Sequence, residues 1–189
     1  MVHHLVTQNV DRLHQRAGSR KVIDLHGRLD KVECLGCGVQ FSREGFQQKL
    51  KKLNPDWSPS AATSAPDGDA NLEGVDFNRF LIPECPDCSG LLKPHVVFFG
   101  ESVPRQRVAD AMSKLEEADS LLVVGSSLMV WSGYRFARAA TQGDVPVAVV
   151  NIGKTRADGE IDLKVALPCG EVLPRVVQIL GLTSEPALR

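Results

Sequence analysis

Apolar runs and amphipathic stretches alternate along the second half of the chain. Three continuous apolar runs predict strands, at 120–127, 145–153 and 163–167. Three stretches with apolar residues at helical spacing predict helices, at about 104–118, at about 132–142 and in the closing GEVLPRVVQILG. Alternating strands and helices are typical of a doubly wound α/β fold with a parallel sheet.

The first half of the chain has a less regular pattern. Residues 3–8 (HHLVTQ) predict a short buried strand that ends in polar residues, and residues 95–99 (HVVFF) predict another, closed by Gly100. Residues 42–53 predict a helix. The following stretch, 54–83, is rich in Pro, Ser, Ala and Asp and is expected to be irregular and exposed.

Small and amide residues follow three of the predicted strands. Gln8, Asn9 and Asp11 follow the first strand, Gly125–Ser127 follow the strand at 120–127, and Asn151–Gly153 end the strand at 145–153. Parallel sheets bind ligands outside the carboxyl ends of their strands, and amides and hydroxyls suit ribose or phosphate. The three strand ends together favour a nucleotide site, although none is a G-x-G-x-x-G and each alone is also typical of a polar turn.

Four of the five cysteines form two C-x-x-C pairs, Cys34–Cys37 and Cys85–Cys88, each with a trailing glycine. Two such turns can complete a closed tetrahedral Zn²⁺ site, which leaves no open coordination position. The prediction is therefore a structural zinc; two redox dithiols or buried free cysteines are the alternatives. The long segment between the pairs must loop out of the site, and Cys169 is expected to be an isolated core or backbone-contact cysteine.

Composition and charge exclude several classes. The chain is 43% hydrophobic and 24% charged with a net charge of −1, so no basic field favours nucleic acid or an anionic membrane. No apolar run reaches the roughly 20 residues of a membrane span, and MVHHLVTQNVD does not resemble a secretory signal. Paired cysteines suit a reducing compartment, so we expect a bacterial-type cytoplasmic protein, or a mitochondrial matrix protein in a eukaryote.

One histidine, His26 in DLHGRL, has a neighbouring glycine that permits close backbone approach. Imidazole titrates near neutral pH, so His26 can serve as a general base. A structural role is the alternative for His26 and the expectation for the other four histidines.

The ordered set TQNVD, LHG, CLGC, CPDC, LKPHVVFFGE, LLVVGSSLMV, VNIG and CGE resembles the sirtuin family of NAD-dependent protein deacylases over nearly the whole chain. Segments such as EADSLLVVGSSLMVWSGYRF and NIGKTRAD are similar to class II sirtuins of the sirtuin-four type. The resemblance implies an acyl-lysine protein substrate, NAD as cosubstrate and a structural zinc on the four paired cysteines. It also implies a Rossmann-like domain, formed by 1–32 and 89–189, with a small zinc-ribbon domain inserted at 33–88.

In the chemistry that this resemblance implies, the acyl-lysine carbonyl oxygen displaces nicotinamide from the ribose. The product is an alkylimidate, and a base then helps a ribose hydroxyl to attack the imidate carbon. Hydrolysis by one water leaves free lysine and O-acyl-ADP-ribose. The resemblance assigns catalysis to His26 and Asn9. It assigns NAD binding to the strand ends, namely Gln8, Asn9, Val10, Asp11, Gly125, Ser126, Ser127, Asn151, Ile152, Gly153 and Cys169.

The same resemblance assigns the substrate peptide to the segment VVFFGE, as an edge strand that pairs with the peptide backbone. The residues concerned are Val97, Phe98, Phe99, Gly100 and Glu101.

The sequence departs from the family pattern at its start. Sirtuins normally open with a strand, a Gly-Ala-Gly-x-Ser loop and an Ile-Pro-Asp-Phe-Arg segment, and nothing of that kind precedes residue 7. We therefore expect an N-terminally truncated nucleotide-binding domain with weak NAD binding and little deacylation. Protein mono-ADP-ribosyl transfer and a non-catalytic zinc-ribbon binding module are the alternative functions.

Overall fold

The computed structural model describes residues 2–57, 63–64, 70–71 and 77–182. In chain order the elements are β1 (Leu5–Thr7), α1 (Leu13–Arg16), β2 (Val22–Asp24), β3 (Gly27–Cys34), β4 (Gln40–Ser42), α2 (Arg43–Leu53), β5 (Thr63–Ser64), β6 (Ala70–Asn71), β7 (Leu92–Val96), α3 (Arg105–Glu116), β8 (Leu121–Val124), α4 (Trp131–Gln142), β9 (Val147–Val150), β10 (Leu163–Val165) and α5 (Cys169–Ile179).

The chain forms two compact units. The first unit contains residues 1–8, 21–25 and 102–189, and the second contains residues 9–20 and 26–101. The domain limits expected from the sequence, at 32/33 and 88/89, stay a prediction. No helix within the described parts of either unit is long and apolar enough to cross a bilayer.

Parallel strands form the first unit, which confirms the α/β class. β1 pairs with β2, and β8, β9 and β10 form a second parallel sheet in the order β10-β9-β8. The carboxyl ends of β8 and β9 are in register, with Val124 opposite Val150. The segments that follow these two strands therefore leave the sheet at the same edge.

Helix α4 supplies much of the core of this unit because its small and aromatic residues recur on one face. Tyr134 and Ala137 pack with Leu128, and Ala140 packs with Val147 and Val149. α3 adds Ala111 to a third cluster with Leu25 and Phe136. The strands and helices predicted for residues 104–179 are confirmed, with strand bounds a few residues shorter than predicted.

The second unit is built on an antiparallel sheet in the order β4-β3-β7. β3 is its central strand and buries Val32 and Cys34 almost completely. The predicted helix at 42–53 is confirmed as α2, and the Ser42 hydroxyl accepts a hydrogen bond from Gly45 N at 3.3 Å at its start. The irregular segment predicted at 54–83 lies partly outside the described residues.

One strand prediction is wrong in its bounds. The apolar run 95–99 predicted a strand over its whole length, whereas β7 ends at Val96 and residues 98–101 form a turn. Glu101 closes this turn: its carboxylate accepts from Phe98 N at 3.0 Å and its own N–H donates to the Phe98 carbonyl at 3.0 Å. Lys93 in turn donates to the Glu101 carboxylate at 2.6 Å.

Candidate functional site

The four paired cysteines come together in the second unit. Their sulfur atoms all lie within 4.8 Å of one another. Cys34 Sγ is 3.5 Å from Cys88 Sγ, and Cys37 Sγ is 3.8 Å from Cys85 Sγ. A tetrahedral zinc with Zn–S bonds of about 2.3 Å needs sulfur–sulfur separations of about 3.8 Å. The donor set and its spacing therefore fit Zn²⁺.

The two cysteine turns have the same backbone design. Gly38 N donates to Cys34 O at 2.9 Å, and Ser89 N donates to Cys85 O at 2.9 Å. Gly38 and Ser89 both have positive φ, 74° and 55°. Gly90, the trailing glycine of the second pair, has another role: a β-carbon there would lie 3.0 Å from Cys34 Sγ.

The pKa values of Cys34 and Cys88 are shifted in opposite directions. Hydrogen bonds from the backbone of Cys37, and then of Gly36, lower the pKa of Cys34 to about 6 against the effect of burial. The Gly90 N–H lowers the pKa of Cys88, but hydrogen bonds with the thiols of Cys34 and Cys37 raise it to about 12. Four negative sulfurs at this spacing need a cation, and a bound Zn²⁺ would hold all four as thiolates and link the two turns.

In the first unit, the ends of β1 and β8 meet through a side-chain hydrogen bond. Ser126 Oγ donates to Gln8 Oε1 at 3.0 Å and accepts from Leu128 N at 3.2 Å. Gly133 of α4 leaves space for the same amide, because a β-carbon there would lie 2.7 Å from Gln8 Nε2. The Gln8 amide is therefore held between β8 and α4.

The segments after β8 and β9 lie side by side at the edge of the parallel sheet. Gly125 N donates to Val150 O at 2.9 Å and has φ 62°. The side-chain amide of Asn151 donates to Gly153 O at 3.1 Å. Within the described part of the chain, and apart from the adjoining residues, no heavy atom lies within 4 Å of the position of a β-carbon at Gly125 or Gly153, so a ligand can approach the backbone closely there.

A hydrogen-bond network holds the loop that follows Gly153. The Thr155 hydroxyl and Lys164 Nζ donate to the Asp158 carboxylate at 2.5 and 2.6 Å. Lys164, and then Thr155, lower the pKa of Asp158 to about 2, so the carboxylate stays charged at neutral pH. Cys169 is exposed at the first residue of α5, so the core alternative predicted for it is wrong, and the backbone-contact alternative stays a prediction.

The second unit contains Asn9, Val10 and Asp11. Hydrogen bonds within this unit hold Val10 and Asp11. Val10 O accepts from Leu29 N at 2.9 Å, and the Asp11 carboxylate accepts from Leu13 N at 2.9 Å at the start of α1. Asn9 is exposed. The turn thus fixes the backbone around Asn9.

His26 immediately precedes β3, and its backbone is fixed beside the end of β7. Val97 N donates to His26 O at 2.8 Å, and Gly27 is paired with Val96. The candidate base and the first residue of the candidate peptide segment are therefore neighbours within one unit. Phe99 in that segment is 98% exposed.

Comparison with known families decides the relationship. The model of the Sir2 family matches residues 1–132. The chain belongs to the Sir2 family. The relationship expected from the sequence motifs is thereby confirmed, and so is the Rossmann-like fold with parallel strands.

This Sir2 chain is similar to several characterised proteins. It is 58% identical over 173 residues to an "NAD-dependent protein deacetylase" of Bordetella bronchiseptica, covering 92% of this chain and 63% of that protein. It is 50% identical over 172 residues to the human "NAD-dependent protein lipoamidase sirtuin-4, mitochondrial", covering 91% of this chain and 55% of that protein. The Sir2 chain thus spans less than two thirds of these relatives.

Solved structures share the fold. The Sir2 chain superposes on "Sir2-p53 peptide-NAD+" with a TM-score of 0.75 at 30% identity, covering 96% of this chain and 65% of that one. It superposes on "Sir2 bound to acetylated peptide" with a TM-score of 0.76 at 30% identity, covering 96% of this chain and 65% of that one.

The structure brings together part of the residue set predicted for this Sir2 chain. Gln8 contacts Ser126, the Gly125–Ser127 and Asn151–Gly153 segments are adjacent, and the four cysteines form one cluster. Gly133 was not predicted as part of the site, although the Gln8 amide occupies the space that a side chain at Gly133 would fill. A lone glycine inside a helical pattern was the available signal, since glycine in a helix often has a packing reason.

Proposed function

We propose that the protein is an NAD-dependent protein lysine deacylase, which transfers an acyl group from lysine to ADP-ribose and releases nicotinamide. The observation that carries the proposal is 58% identity, across 92% of this chain, to a protein named for that activity. The placement of His26 beside Val97 supports the proposal because it sets a titratable group next to the candidate peptide segment.

The residues of the first unit fit NAD. When bound, NAD supplies an electrophilic ribose carbon with nicotinamide as the leaving group. We assign the ribose and phosphate contacts to Gln8, to the Gly125–Ser127 segment and to the Asn151–Gly153 segment, with Ile152 exposed there. Their amides, hydroxyls and open glycine backbone are neutral polar groups suited to a sugar–phosphate chain. Cys169 is assigned to adenine through its backbone, and Asn9, Val10 and Asp11 to the nicotinamide side.

His26 is the proposed general base. An imidazole nitrogen of His26 accepts the proton of a ribose hydroxyl, which makes that oxygen nucleophilic toward the acyl carbon. Fixing the backbone at His26 O and Gly27 limits the positions that the ring can take. Asn9 is the proposed partner that orients the ribose.

The proposed substrate is an acyl-lysine segment of a protein, bound along residues 97–101. Residues 98–101 form a turn closed by Glu101, so the expected edge strand that pairs with the peptide over the whole segment is wrong, and residues 97–101 are proposed as a contact surface for the peptide. Two known Sir2 structures described as "Sir2-p53 peptide-NAD+" and "Sir2 bound to acetylated peptide" support this assignment. Five free cysteines suit a reducing compartment, and we infer a bacterial-type cytoplasm, or the mitochondrial matrix in a eukaryote.

His26→Ala tests the proposal. The reference and variant proteins carry the N-terminal segment of the Bordetella bronchiseptica relative ahead of residue 1 and are incubated with NAD and with acetyl-lysine or lipoyl-lysine peptides. Free lysine peptide, nicotinamide and O-acyl-ADP-ribose are then quantified. Loss of a positioned base should lower turnover by about 10²–10⁴-fold. His14→Ala is the matched control, since His14 lies on α1 and is assigned no role.

Unchanged turnover in His26→Ala would remove His26 from the mechanism. If nicotinamide is released while ADP-ribose becomes attached to protein and no lysine is freed, the protein is an ADP-ribosyltransferase and the proposal is wrong. Zinc content is measured in each variant to show that the second unit is intact.

A further inference from the structure

Three arginine side chains surround one exposed tryptophan in the first unit. The guanidinium carbons of Arg135, Arg138 and Arg156 lie 5.8, 5.9 and 5.8 Å from the centroid of the Trp131 ring. Trp131 is 46% exposed. Cation–π contact attracts each guanidinium to the indole but leaves most of its N–H donors available.

The positive charge of this cluster is not neutralised by the described part of the chain. Among the residues that the structure describes, no carboxylate forms an ion pair with Arg135, Arg138 or Arg156. The Glu160 carboxylate accepts from the Tyr134 hydroxyl at 2.6 Å and keeps its charge, but it forms no ion pair with these three arginines. Three like charges around one ring repel one another, and an anion placed among them relieves that repulsion.

Hydrogen bonds and ring contacts hold Arg156 and Trp131 in place. Arg156 donates from its backbone N–H to Ser127 O at 2.9 Å and from Nη1 to Met129 O at 3.2 Å. Its guanidinium also lies 4.4 Å from the centroid of the Tyr134 ring, and Tyr134 packs on Trp131 at 5.8 Å. A surface held in this way loses little conformational entropy when a partner binds.

Exposed apolar side chains adjoin the arginines. Met129 is 55% exposed and Val130 is 48% exposed, directly before Trp131 in the chain. Tryptophan, arginine and methionine are the residues enriched at protein–protein interfaces, and tryptophan and arginine dominate their binding energy. The net charge of −1 supplies no wider basic field of the kind that nucleic acid requires.

We propose that Met129, Val130, Trp131, Arg135, Arg138 and Arg156 form a docking surface for an acidic segment of a partner protein. In this complex, partner carboxylates pair with the guanidiniums and a partner apolar side chain packs on the indole. Arginine forms such pairs with two parallel N–H···O bonds, which favours a carboxylate over a neutral group. We call these six residues the Trp131 surface; the inference does not depend on the deacylase activity.

The test uses the fluorescence of Trp131 in a Trp57→Phe background, because the chain contains only two tryptophans. The probes are a capped heptapeptide with four glutamates around one phenylalanine, and the same peptide with glutamines in place of the glutamates. The glutamate peptide should bind, the glutamine peptide should not, and raising the salt from about 50 mM to about 300 mM should weaken binding.

Arg135→Gln/Arg138→Gln should weaken binding of the glutamate peptide by roughly tenfold, the loss typical of removing central interface arginines. Arg105→Gln/Arg175→Gln is the matched control: it removes the same charge from α3 and α5 and should change affinity by less than about twofold. Zinc content and thermal unfolding are compared to show that both variants fold.

Three results overturn the proposal. One is no saturable change in Trp131 fluorescence with the glutamate peptide at millimolar concentration. Another is an equal loss of affinity in both double variants. The third is tighter binding of a deoxythymidine decanucleotide or inorganic phosphate than of the peptide, lost in Arg135→Gln/Arg138→Gln, which would make the surface a phosphate or nucleic-acid site.

Discussion

A β-carbon at Gly27 would lie 2.1 Å from the carbonyl oxygen of His95, and Gly27 has a φ of 85°. Alanine would therefore combine a backbone clash with a strained conformation. We expect Gly27→Ala to lower the free energy of unfolding by about 3 kcal/mol or more, as large effects of single substitutions require such a mechanism. Urea unfolding measures this.

The control for this substitution is Gly45→Ala in α2, where a β-carbon would meet no heavy atom of the described residues within 4 Å outside the helix's own backbone. Alanine in a helix is favoured over glycine by about 1 kcal/mol, so Gly45→Ala should be neutral or stabilising. Equal stability of the Gly27→Ala and Gly45→Ala variants would contradict the close packing of β3 and β7 at Gly27.

Gly133→Ala tests the placement of the Gln8 amide. The new β-carbon would meet Gln8 Nε2 at 2.7 Å, and the flexible side chain would move away from Ser126. We expect little loss of stability but a roughly tenfold weaker affinity for NAD, measured by calorimetry, because one or two polar contacts are misplaced. Gly159→Ala is the control: a β-carbon at Gly159 would lie in open space, so this substitution should leave the affinity for NAD unchanged. A normal affinity in Gly133→Ala would mean that Gln8 does not contact NAD.

At the scale of elements, Asn54 joins the two described ends of the insert that follows α2. Its side-chain amide donates to Leu81 O at 2.8 Å, and its carbonyl oxygen accepts from Leu81 N at 2.7 Å. The rings of Trp57 and Phe80 pack at 4.7 Å beside this contact. The ends of the insert are thus held together by residues outside 58–76.

We therefore expect that replacing residues 58–76 with a short Gly-Ser linker will leave the zinc content unchanged. The thermal midpoint should shift by only a few degrees, because the entropy of loop closure depends weakly on loop length. Adding Asn54→Ala to this variant should lower the free energy of unfolding further by about 1–3 kcal/mol, because two hydrogen bonds to Leu81, each worth about 0.5–1.5 kcal/mol, are lost. Zinc loss in the linker variant alone would show that the insert itself holds the second unit together.

The sequence predicted elements whose signal is local. α4 was found because Tyr134, Ala137 and Ala140 recur on one helical face. β3 was missed because apolar and polar residues do not alternate regularly in GRLDKVEC. The burial of this strand depends on its pairing with β4 and β7. The turn at 98–101 was missed for a similar reason, since the contacts of Glu101 with Lys93 and Phe98 close it.

At the scale of the whole molecule, the two units should respond differently to loss of metal. The three core clusters of the first unit contain no cysteine, whereas the second unit buries Cys34 and Cys85 at its centre. Structural zinc contributes its binding free energy to folding. Chelation, or Cys34→Ser, should therefore abolish hydrogen-exchange protection in β3 while β8 and β9 stay protected.

Cys169→Ser is the control for metal binding, because Cys169 lies outside the cluster. It should retain one zinc per chain. Retained protection of β3 in metal-free protein would show that the antiparallel sheet is stable without the metal.

Much of the site could be predicted from the sequence because its signals are short motifs. The C-x-x-C pairs led to a cluster that the structure assembles, and GSS and NIG led to adjacent strand ends. The contact of Gln8 with Ser126 and the space at Gly133 could not be predicted in the same way. They depend on the packing of three elements from distant parts of the chain.

Each cysteine turn has one exposed and one buried cysteine: Cys37 and Cys88 are exposed, while Cys34 and Cys85 are buried. Oxidants and alkylating reagents in solution therefore have readier access to Cys37 and Cys88. An oxidised or alkylated sulfur no longer binds zinc as a thiolate, and each turn would lose one ligand while keeping the other. The same metal that stabilises the second unit thus makes its folding sensitive to the redox state of the surrounding solution.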